Sequence, residues 1–299
     1  RNKIACLWEG EPGDVRKVTF HELERQANRV ANALAERGIR AGDAVGMFMP
    51  KIPETVSILY GCFKVGAIAV PMFSGFGVDA VATRIEDAGC SVFFTADGFY
   101  RRGQPVHLKR TADGAIERAG HVEHTIVYDR LGGGHEVPWT SDRDERWQTA
   151  VGSEDPAFET KSLDANQESM LLYSSGTTGK PKGTVQTHAG ALVKAAKDLY
   201  FDFDLKGSDR FFWITDIGWI MGPWILIGCH TFGATVYMYE GAPDYPEQDR
   251  LWEMIDRHSL THFGISPTAI RALRKHGDEQ LDGHDVSSLR ILGSTGEPW

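Results

Sequence analysis

The sequence predicts an α/β protein built on parallel β-sheets, and three observations support this fold class. Segments with helical periodicity alternate along the chain with short, uninterrupted apolar runs, which are typical of strands covered on both faces. Glycines stand where the predicted helices end. Hydrophobic residues make up 41% and charged residues 24% of the 299 positions, which is ordinary for a chain that buries a core. We therefore expect helices on the faces of parallel sheets.

The individual elements follow from these patterns. Residues 19–38 form the clearest helix, because Thr19 and Glu22 fit a capping box and Gly38 supplies a stop. An apolar run over residues 44–49, closed by Pro50, predicts a buried strand. The same reasoning predicts helices at 53–65, 78–88, 188–199, 222–231, 246–258 and 267–276, and strands at 67–73, 91–95, 170–173, 210–215, 234–239, 261–265 and 289–293.

Residues 129–165 interrupt this alternation. The stretch contains three consecutive glycines at 132–134, Pro138, Pro156 and many charges, so we interpret it as a long connector. We expect two packed α/β units, residues 1–165 and residues 166–299. The two halves can share strands between their sheets, so the boundary is approximate.

The charge balance and the cysteine pattern argue against several classes of protein. The net charge is −9, and no run of five basic residues offers a footprint for nucleic acid. No apolar run approaches the ~18 residues that span a bilayer, so we expect no membrane partner and a cytoplasmic location. His121 and His124 have only Glu123 as a further ligand, and we predict no metal site there. Reduced, mostly buried thiols are expected at Cys6, Cys62, Cys90 and Cys229.

One loop combines glycines, hydroxyls and lysines. It runs from Tyr173 to Gly183, follows a predicted buried strand and precedes a helix. Glycine lets backbone N–H groups approach an anion, hydroxyls add donors and lysines add charge, so the loop predicts a triphosphate cradle. It is not a Walker A loop, because Pro181 follows Lys180 where Ser or Thr is needed. A mobile polar turn is the alternative, since the same residue types dominate turns.

The loop sequence Tyr-Ser-Ser-Gly-Thr-Thr-Gly-Lys-Pro-Lys-Gly resembles the phosphate-binding signature of adenylate-forming enzymes. That superfamily of AMP-dependent synthetases and ligases includes acyl-CoA synthetases, luciferases and adenylation domains of peptide synthetases. Residues 215–222, 266–271 and 293–298 resemble, in order and spacing, its acetyl-CoA synthetase or short-chain acyl-CoA synthetase branch. The resemblance covers nearly the whole chain. It implies the two packed αβαβα layers of the N-terminal large domain, truncated before the barrel strands and the small C-terminal domain.

The resemblance also implies an activity. ATP would activate a small carboxylic acid to an acyl-adenylate with release of pyrophosphate, and coenzyme A would then form the thioester. ATP, Mg²⁺ and coenzyme A are the implied cofactors. Thr177 and Lys180 would be catalytic. The phosphates would contact Ser174, Ser175, Gly176, Thr177, Thr178, Gly179, Lys180 and Lys182, and adenine and ribose would contact Gly296, Glu297 and Pro298.

The acyl pocket implied by the resemblance consists of Trp219, Ile220, Met221 and Thr295. It departs from the acetate enzymes, because Met221 stands where Thr is expected, Thr295 where Val is usual, and Pro223-Trp224 where a His-Ser-like pair is expected. Methionine is flexible and fills irregular gaps, so we expect a short acid other than acetate. Taken alone, Trp219 would more often be a core residue.

Coenzyme A would contact Gly75, within the segment 73–76, and Arg101. A second family arginine is replaced by Gln104, and Arg102 could compensate for it. The alternative is that these arginines are ordinary solvated surface residues.

The later motifs of the family do not occur in these 299 residues. They comprise the acidic motif for Mg²⁺ and ribose, the hinge, and the C-terminal domain with its lysine. We therefore expect this chain to be a large-domain fragment that is nearly inactive alone. Two rival functions stay open, namely an adenylation domain that loads a carrier-protein thiol and a non-catalytic nucleotide-binding module. Homo-oligomerisation also stays open.

Overall fold

A computed structural model describes residues 2–132, 136–174 and 181–297. Its strands are β1 (Ile4–Gly10), β2 (Val15–Thr19), β3 (Ala44–Phe48), β4 (Ile68–Pro71), β5 (Val92–Ala96), β6 (Phe99–Arg101), β7 (Gln104–Val106), β8 (His124–Tyr128), β9 (Asp144–Arg146), β10 (Glu168–Ser174), β11 (Lys182–Thr187), β12 (Arg210–Trp213), β13 (Thr235–Glu240), β14 (His262–Gly264) and β15 (Ile291–Gly293). Its α-helices are α1 (Phe20–Glu36), α2 (Pro53–Val65), α3 (Val78–Ala88), α4 (Leu108–Ala119), α5 (Trp147–Ala150), α6 (His188–Phe201), α7 (Met221–Thr231), α8 (Arg250–His258) and α9 (Pro267–Leu273).

Two mostly parallel sheets organise the described residues. One has the strand order β15-β14-β12-β13-β1-β2, and the other has the order β11-β10-β4-β3-β5-β8-β9. Each sheet has one antiparallel strand at an edge, β2 in the first and β11 in the second. β1 pairs in parallel with β13, and β10 pairs in parallel with β4. Both sheets therefore contain strands from the beginning and from the later part of the chain.

The helices form three layers around the two sheets. A central apolar cluster joins side chains of both sheets with α1, α2, α6 and α7. A second cluster packs α3 and α4 on the outer face of the β3–β5 sheet. A third packs α8 and α9 on the outer face of the β12–β13 sheet. The order of layers is α, β, α, β, α, which confirms the predicted fold class.

Local sequence signals set several boundaries as predicted. Thr19 caps α1 and Glu22 completes the capping box. Pro53 starts α2 as its first residue, and Gly66 ends it in the left-handed conformation that glycine favours. The bounds of α2 and α3 match the prediction to the residue. The predicted free, buried cysteines are confirmed at Cys6, Cys62, Cys90 and Cys229.

Two sequence expectations about loops were wrong. The glycine-rich loop does not lead directly into a helix, because β11 lies between the loop and α6. β11 is an exposed edge strand with little apolar patterning, so it left no strand signal. The predicted connector 129–165 also contains structure. β9 extends the sheet beside β8, and its Asp144 is buried against Lys109 of α4, with 2.8 Å between Nζ and Oδ2.

The set of predicted helices and strands was incomplete. None was predicted within residues 97–128, where the structure has the β6–β7 hairpin, α4 and β8. The helix predicted over 246–258 begins only at Arg250. No α-helix within the described ranges is long and apolar enough to cross a membrane.

A buried carboxylate joins β1 to α8. Glu9 of β1 is fully buried, and its Oε1 accepts hydrogen bonds from Arg250 and from Arg257. Its Oε2 accepts from His258 Nε2 at 2.5 Å and from the Tyr237 hydroxyl at 3.1 Å. Burial opposes ionisation, but the His258 hydrogen bond and the charges of Arg250 and Arg257 hold the pKa of Glu9 below its ordinary value. Glu9 is therefore ionised and fully paired at neutral pH.

We predict that Glu9→Gln lowers the free energy of unfolding of the 299-residue chain at pH 7 by roughly 3–5 kcal/mol, because it leaves buried cations without a counter-charge. The pKa of Glu9 is lower in the folded chain, so its stabilisation is present above the unfolded pKa of about 4.3 and is lost as the pH falls below it. Urea denaturation at several pH values measures this effect, and the gap between wild type and variant should narrow on acidification.

The matched control is Glu253→Gln. Glu253 also pairs with Arg250 and Arg257, but its side chain is 34% exposed. Because exposed ion pairs contribute about 0–1 kcal/mol, this variant should unfold within about 1 kcal/mol of the wild type. Equal losses for the two variants would contradict a special role for Glu9.

Candidate functional site

A cavity of about 630 Å³ lies where strands of both sheets end. Parallel sheets gather ligands at the carboxyl ends of their strands, because the connecting loops converge there. Segments that follow β4, β12, β13, β14 and β15 all contribute to the lining. The candidate residues Gly75, Arg101, Trp219, Ile220, Met221, Thr295 and Gly296 line this one cavity. The structure thus brings together groups that are up to 221 positions apart in the sequence.

Asp216 holds two of these loops together. Its Oδ2 accepts from the Ser74 hydroxyl at 2.6 Å, and its Oδ1 accepts from the Gly218 backbone N–H at 3.0 Å. Burial raises the pKa of Asp216, against the effect of these hydrogen bonds and of the Lys51 charge. A Cβ at Gly218 would lie 2.1 Å from the backbone nitrogen of Phe73. The loops after β4 and β12 can approach this closely only because residue 218 is glycine.

Trp219 forms part of an aromatic wall. Its ring centroid is 5.5 Å from that of Phe73 and 6.2 Å from that of Phe76. The side chain is 43% exposed and lines the cavity, so the core alternative for this tryptophan was wrong. A wide aromatic side chain at this position can guide a narrow, flexible ligand along the cavity.

Ile220, Met221 and Thr295 border a second cavity as well. This space of about 580 Å³ is also lined by side chains of α6 and α7, among them Ala191, Trp224 and Ile227. Met221 begins α7 and stands between the two cavities. The size of the apolar end of the site therefore depends on a flexible side chain.

Arg101, the last residue of β6, also lines the first cavity. Its Nη1 donates to the carbonyl of Gly241 at 3.4 Å. The turn that follows is fixed by the Glu11 carboxylate, which accepts from the backbone N–H groups of Gly103 at 2.7 Å and Ala242 at 2.8 Å. Arg101 is exposed, and its guanidinium group makes only this one hydrogen bond among the described residues, so most of its donors can reach a ligand.

Arg102, unlike Arg101, does not line the first cavity and is held by an ion pair. Its Nη2 pairs with both carboxylate oxygens of Asp244, at 2.8 and 2.9 Å. The pair raises the pKa of Arg102 and lowers that of Asp244, whose burial opposes this effect. The proposed compensation for Gln104 by Arg102 would require this ion pair to open.

The two ends of the glycine-rich loop lie side by side. Ser174 ends β10, Lys182 begins β11, and the two residues are opposite each other in the antiparallel register. Both are exposed. The predicted phosphate contacts Ser175, Gly176, Thr177, Thr178, Gly179 and Lys180 lie outside the described residues.

The residues after β15 that were predicted to contact adenine and ribose do not all face the cavity. Gly296 lines the first cavity with a positive φ of 106°, and a Cβ there would meet only open space. The Glu297 carboxylate turns toward α9, where Oε1 accepts from the Thr268 N–H at 2.7 Å and Oε2 accepts from Arg271 at 2.8 Å. Pro298 lies outside the described residues.

Three charged residues of the cavity, Lys51, Asp216 and Glu240, were not predicted as site residues. Glu240 ends β13, and burial raises its pKa to about 7 although Arg130 pairs with it at 3.0 Å. Lys51 follows β3, and a lysine between Pro50 and Ile52 directly after an apolar run was the available signal. No group of three or more His, Cys, Asp or Glu side chains suited to a metal ion occurs in the part of the chain that the structure describes.

This arrangement suits a ligand with two different ends. Arg101 and Lys51 present positive charge, Thr215 and Ser266 add hydroxyls, and the aromatic wall leads to an apolar end at Ile220 and Met221. A molecule with phosphate and amide oxygens at one end and a small apolar group at the other would match these surfaces.

Known proteins share this sequence and architecture. The acetyl-coenzyme A synthetase of Streptomyces coelicolor is 44% identical over 299 residues, covering 99% of this chain and 46% of that protein. The acetyl-coenzyme A synthetase of Pyrobaculum aerophilum is 42% identical over 309 residues, covering 100% and 46%. The solved structure of the acetoacetyl-CoA synthetase from Streptomyces lividans superposes with a TM-score of 0.90 at 32% identity, covering 99% of this chain and 45% of that one.

The chain thus spans about half the length of the curated relatives that it matches. The family described as AMP-binding enzyme matches residues 1–299, the whole chain. With the fold, the family match and the identities in agreement, this chain belongs to the family of AMP-binding enzymes.

Proposed function

We propose that the protein to which this chain belongs is an AMP-forming acyl-CoA synthetase acting on a short-chain carboxylic acid. The observation that carries the proposal is the single cavity in which Trp219, Ile220, Met221 and Thr295 face the same space as Gly75 and Arg101. An apolar pocket for an acyl group and a cationic mouth for a nucleotide thiol are the two surfaces that such a ligase needs. Its relatives described above, acetyl- and acetoacetyl-CoA synthetases, support the same class of reaction.

In the first step, a carboxylate oxygen of the acid attacks the α-phosphorus of ATP and pyrophosphate leaves. The protein supplies no nucleophile and works by holding two anions together and offsetting their repulsion. We assign the phosphates to the glycine-rich loop, with Ser174 and Lys182 at its base and Thr177 and Lys180 as catalytic residues within it. Mg²⁺ on the phosphates would supply further charge neutralisation.

Adenine and ribose are assigned to the segment of Gly296, Glu297 and Pro298 at the end of β15. Gly296 lines the cavity and leaves open space beside its backbone, which suits a planar base. The Glu297 carboxylate fixes the start of α9, so its contribution is to hold this segment in place.

In the second step, the thiol of coenzyme A attacks the acyl carbonyl carbon, the new C–S bond forms and AMP leaves with the electron pair of the broken C–O bond. We propose that Arg101 receives the phosphate of the nucleotide end at the mouth of the cavity. Gly75 leaves room for the Phe73 ring, because a Cβ there would lie 2.6 Å from an atom of that ring, and we propose that the backbone of Gly75 borders the arm. Trp219 then borders the path to the acyl group.

The acid is short, of about the size of propionate or a small branched acid. Ile220, Met221 and Thr295 line the acyl end of this site, and Met221 lies at the boundary with the neighbouring cavity. Soluble substrates of this kind fit the expected cytoplasmic location. The test of the whole proposal is carboxylate-dependent exchange of pyrophosphate into ATP by the full-length protein, followed by transfer to coenzyme A. Transfer to a phosphopantetheinyl carrier protein instead of coenzyme A would favour the adenylation-domain alternative.

We predict that millimolar ATP, AMP or pyrophosphate raises the melting temperature of the 299-residue chain. A ligand that binds only the native state stabilises it by RT ln(1 + [L]/Kd). Differential scanning fluorimetry measures the shift, and adenosine, which lacks phosphates, is the control that should give a smaller one. A folded chain that shows no shift with any of the phosphate ligands would contradict the nucleotide site.

Lys180→Ala in the full-length protein should slow the adenylation step by roughly 100-fold or more, with a smaller effect on acid binding. The lysine offsets charge that builds on the departing pyrophosphate, whereas the acid is held by Ile220, Met221 and Thr295. Pyrophosphate exchange measured over a range of acid concentrations separates the two effects. The exposed Lys161→Ala is the matched control and should exchange at the wild-type rate. An unchanged rate in Lys180→Ala would remove this residue from catalysis.

Met221→Ala should shift the preference of the full-length protein toward longer acids by roughly tenfold per added methylene or less, because hydrophobic pockets distinguish neighbouring homologues by ~1–3 kcal/mol. Truncation would open the space toward the neighbouring cavity. The measurement is kcat/KM for straight-chain acids from acetate to octanoate. Met254→Ala, which truncates a fully buried methionine of α8, should lower stability and leave the order of acids unchanged. An identical order in Met221→Ala would identify Met221 as packing only.

A further inference from the structure

Lys51 occupies a fixed position on the wall of the first cavity. It comes three residues after the end of β3 and lines the cavity together with Arg101, Asp216 and Trp219. The Nε1 of Trp8, a side chain that is 1% exposed, donates to the Lys51 carbonyl at 2.7 Å. A buried indole thus pins the backbone of the lysine, and only its side chain is free to adjust.

The charged groups near Lys51 already have partners. Asp216 accepts from Ser74 and Gly218, Glu240 pairs with Arg130, and Glu11 accepts from two backbone N–H groups. Within the described ranges, no hydrogen bond or ion pair reaches the Lys51 ammonium group. Burial lowers the pKa of Lys51, with Asp216 opposing and Arg101 reinforcing this shift. The lysine therefore offers hydrogen-bond donors to the cavity that the protein does not use.

We propose that Lys51 is a binding residue for the thiol substrate and donates a hydrogen bond to an oxygen acceptor on its pantetheine arm. This inference rests on the proposed acyl-CoA synthetase function. The location carries it, since Lys51 shares the cavity with Arg101 and Trp219 but does not line the neighbouring cavity that Ile220, Met221 and Thr295 border. Lys51 therefore borders the space that Arg101 and Trp219 share, and it is not among the residues that line the neighbouring cavity into which a longer acyl group would extend.

The amide carbonyls of the arm are the acceptors that fit this position. Arg101 is exposed and suits the nucleotide phosphates, whereas Lys51 is only partly exposed and shares the lining of a small neighbouring space with residues of α2, β12 and β13. An ammonium group without a hydrogen-bond partner is stabilised when a carbonyl oxygen binds next to it, because a hydrogen bond to a charged group is stronger than one between neutral groups.

The experiment compares Lys51→Met, which keeps the length of the side chain and removes the charge, with the wild-type full-length protein. The KM for coenzyme A should rise roughly 10- to 100-fold, as expected for the loss of one charged hydrogen bond. The first half-reaction, acid-dependent pyrophosphate exchange, should keep its rate and its KM for the acid. Lys51→Arg should restore part of the affinity for coenzyme A. Lys17→Met, which removes an exposed lysine of β2, is the matched control and should change neither reaction.

A second assay with pantetheine as the acyl-accepting thiol distinguishes contacts to the arm from contacts to the nucleotide, because pantetheine lacks the nucleotide. If Lys51 contacts the arm, the Lys51→Met penalty should be the same with pantetheine as with coenzyme A. A penalty that disappears with pantetheine would assign Lys51 to the phosphates and overturn the proposal. A changed KM for the acid with an unchanged KM for coenzyme A would overturn it as well.

Failure of the inference can be told from failure of the proposed function. A wild-type protein without acid-dependent exchange or thioester formation would contradict the function itself. A wild type that carries out both reactions, with Lys51→Met unchanged in coenzyme A affinity, would contradict only the role of Lys51. If Lys51→Met melts at a lower temperature than the wild type, the comparison is made with Lys51→Leu, which also removes the donor, and the same outcomes apply.

Discussion

The buried carboxylate of Glu9 is the interaction on which the docking of α8 against the first sheet depends. It ties β1, the first strand of the chain, to α8 and to Tyr237 of β13. Side chains alternate between the two faces of a strand, so the neighbours of Glu9 point the other way. On that face Trp8 holds the backbone of Lys51 and lies under the guanidinium group of Arg130, 4.9 Å from the ring centroid. One strand thus anchors an outer helix on one face and the cavity wall on the other.

Acidic residues near the cavity serve mainly as scaffolding. Glu11, Asp216 and Glu240 each accept hydrogen bonds from the protein's own donors, and those bonds fix the turn after β6, the loop after β12 and the end of β13. Their lone pairs are largely occupied, so they compete weakly for the cations that line the cavity. A chain with a net charge of −9 can in this way present positive charge to a ligand at one place.

Sequence reasoning predicted best the elements whose ends are marked by proline or glycine. The bounds of α2 and α3 were predicted to the residue because Pro53, Gly66 and Gly89 mark them. β11 was missed, since an edge strand with exposed side chains carries no apolar pattern. For the site, the resemblance identified residues that do share a cavity, but their roles stay predictions. Lys51 was missed because its importance depends on partners distant in the chain, such as Trp8 and Asp216.

The turn after β6 is held by two kinds of contact that respond differently to ionic strength. Glu11 fixes it through backbone hydrogen bonds and is only 6% exposed, whereas the Arg102–Asp244 pair has an arginine side chain that is 57% exposed. Dissolved salt screens exposed charges over about 10 Å at 0.1 M and affects sheltered hydrogen bonds much less. We therefore expect concentrated salt to weaken the Arg102–Asp244 pair more than the hydrogen bonds of Glu11. The turn would keep its place while Arg102 gains freedom, so the electrolyte around the protein would set how much mobile positive charge stands beside the cavity.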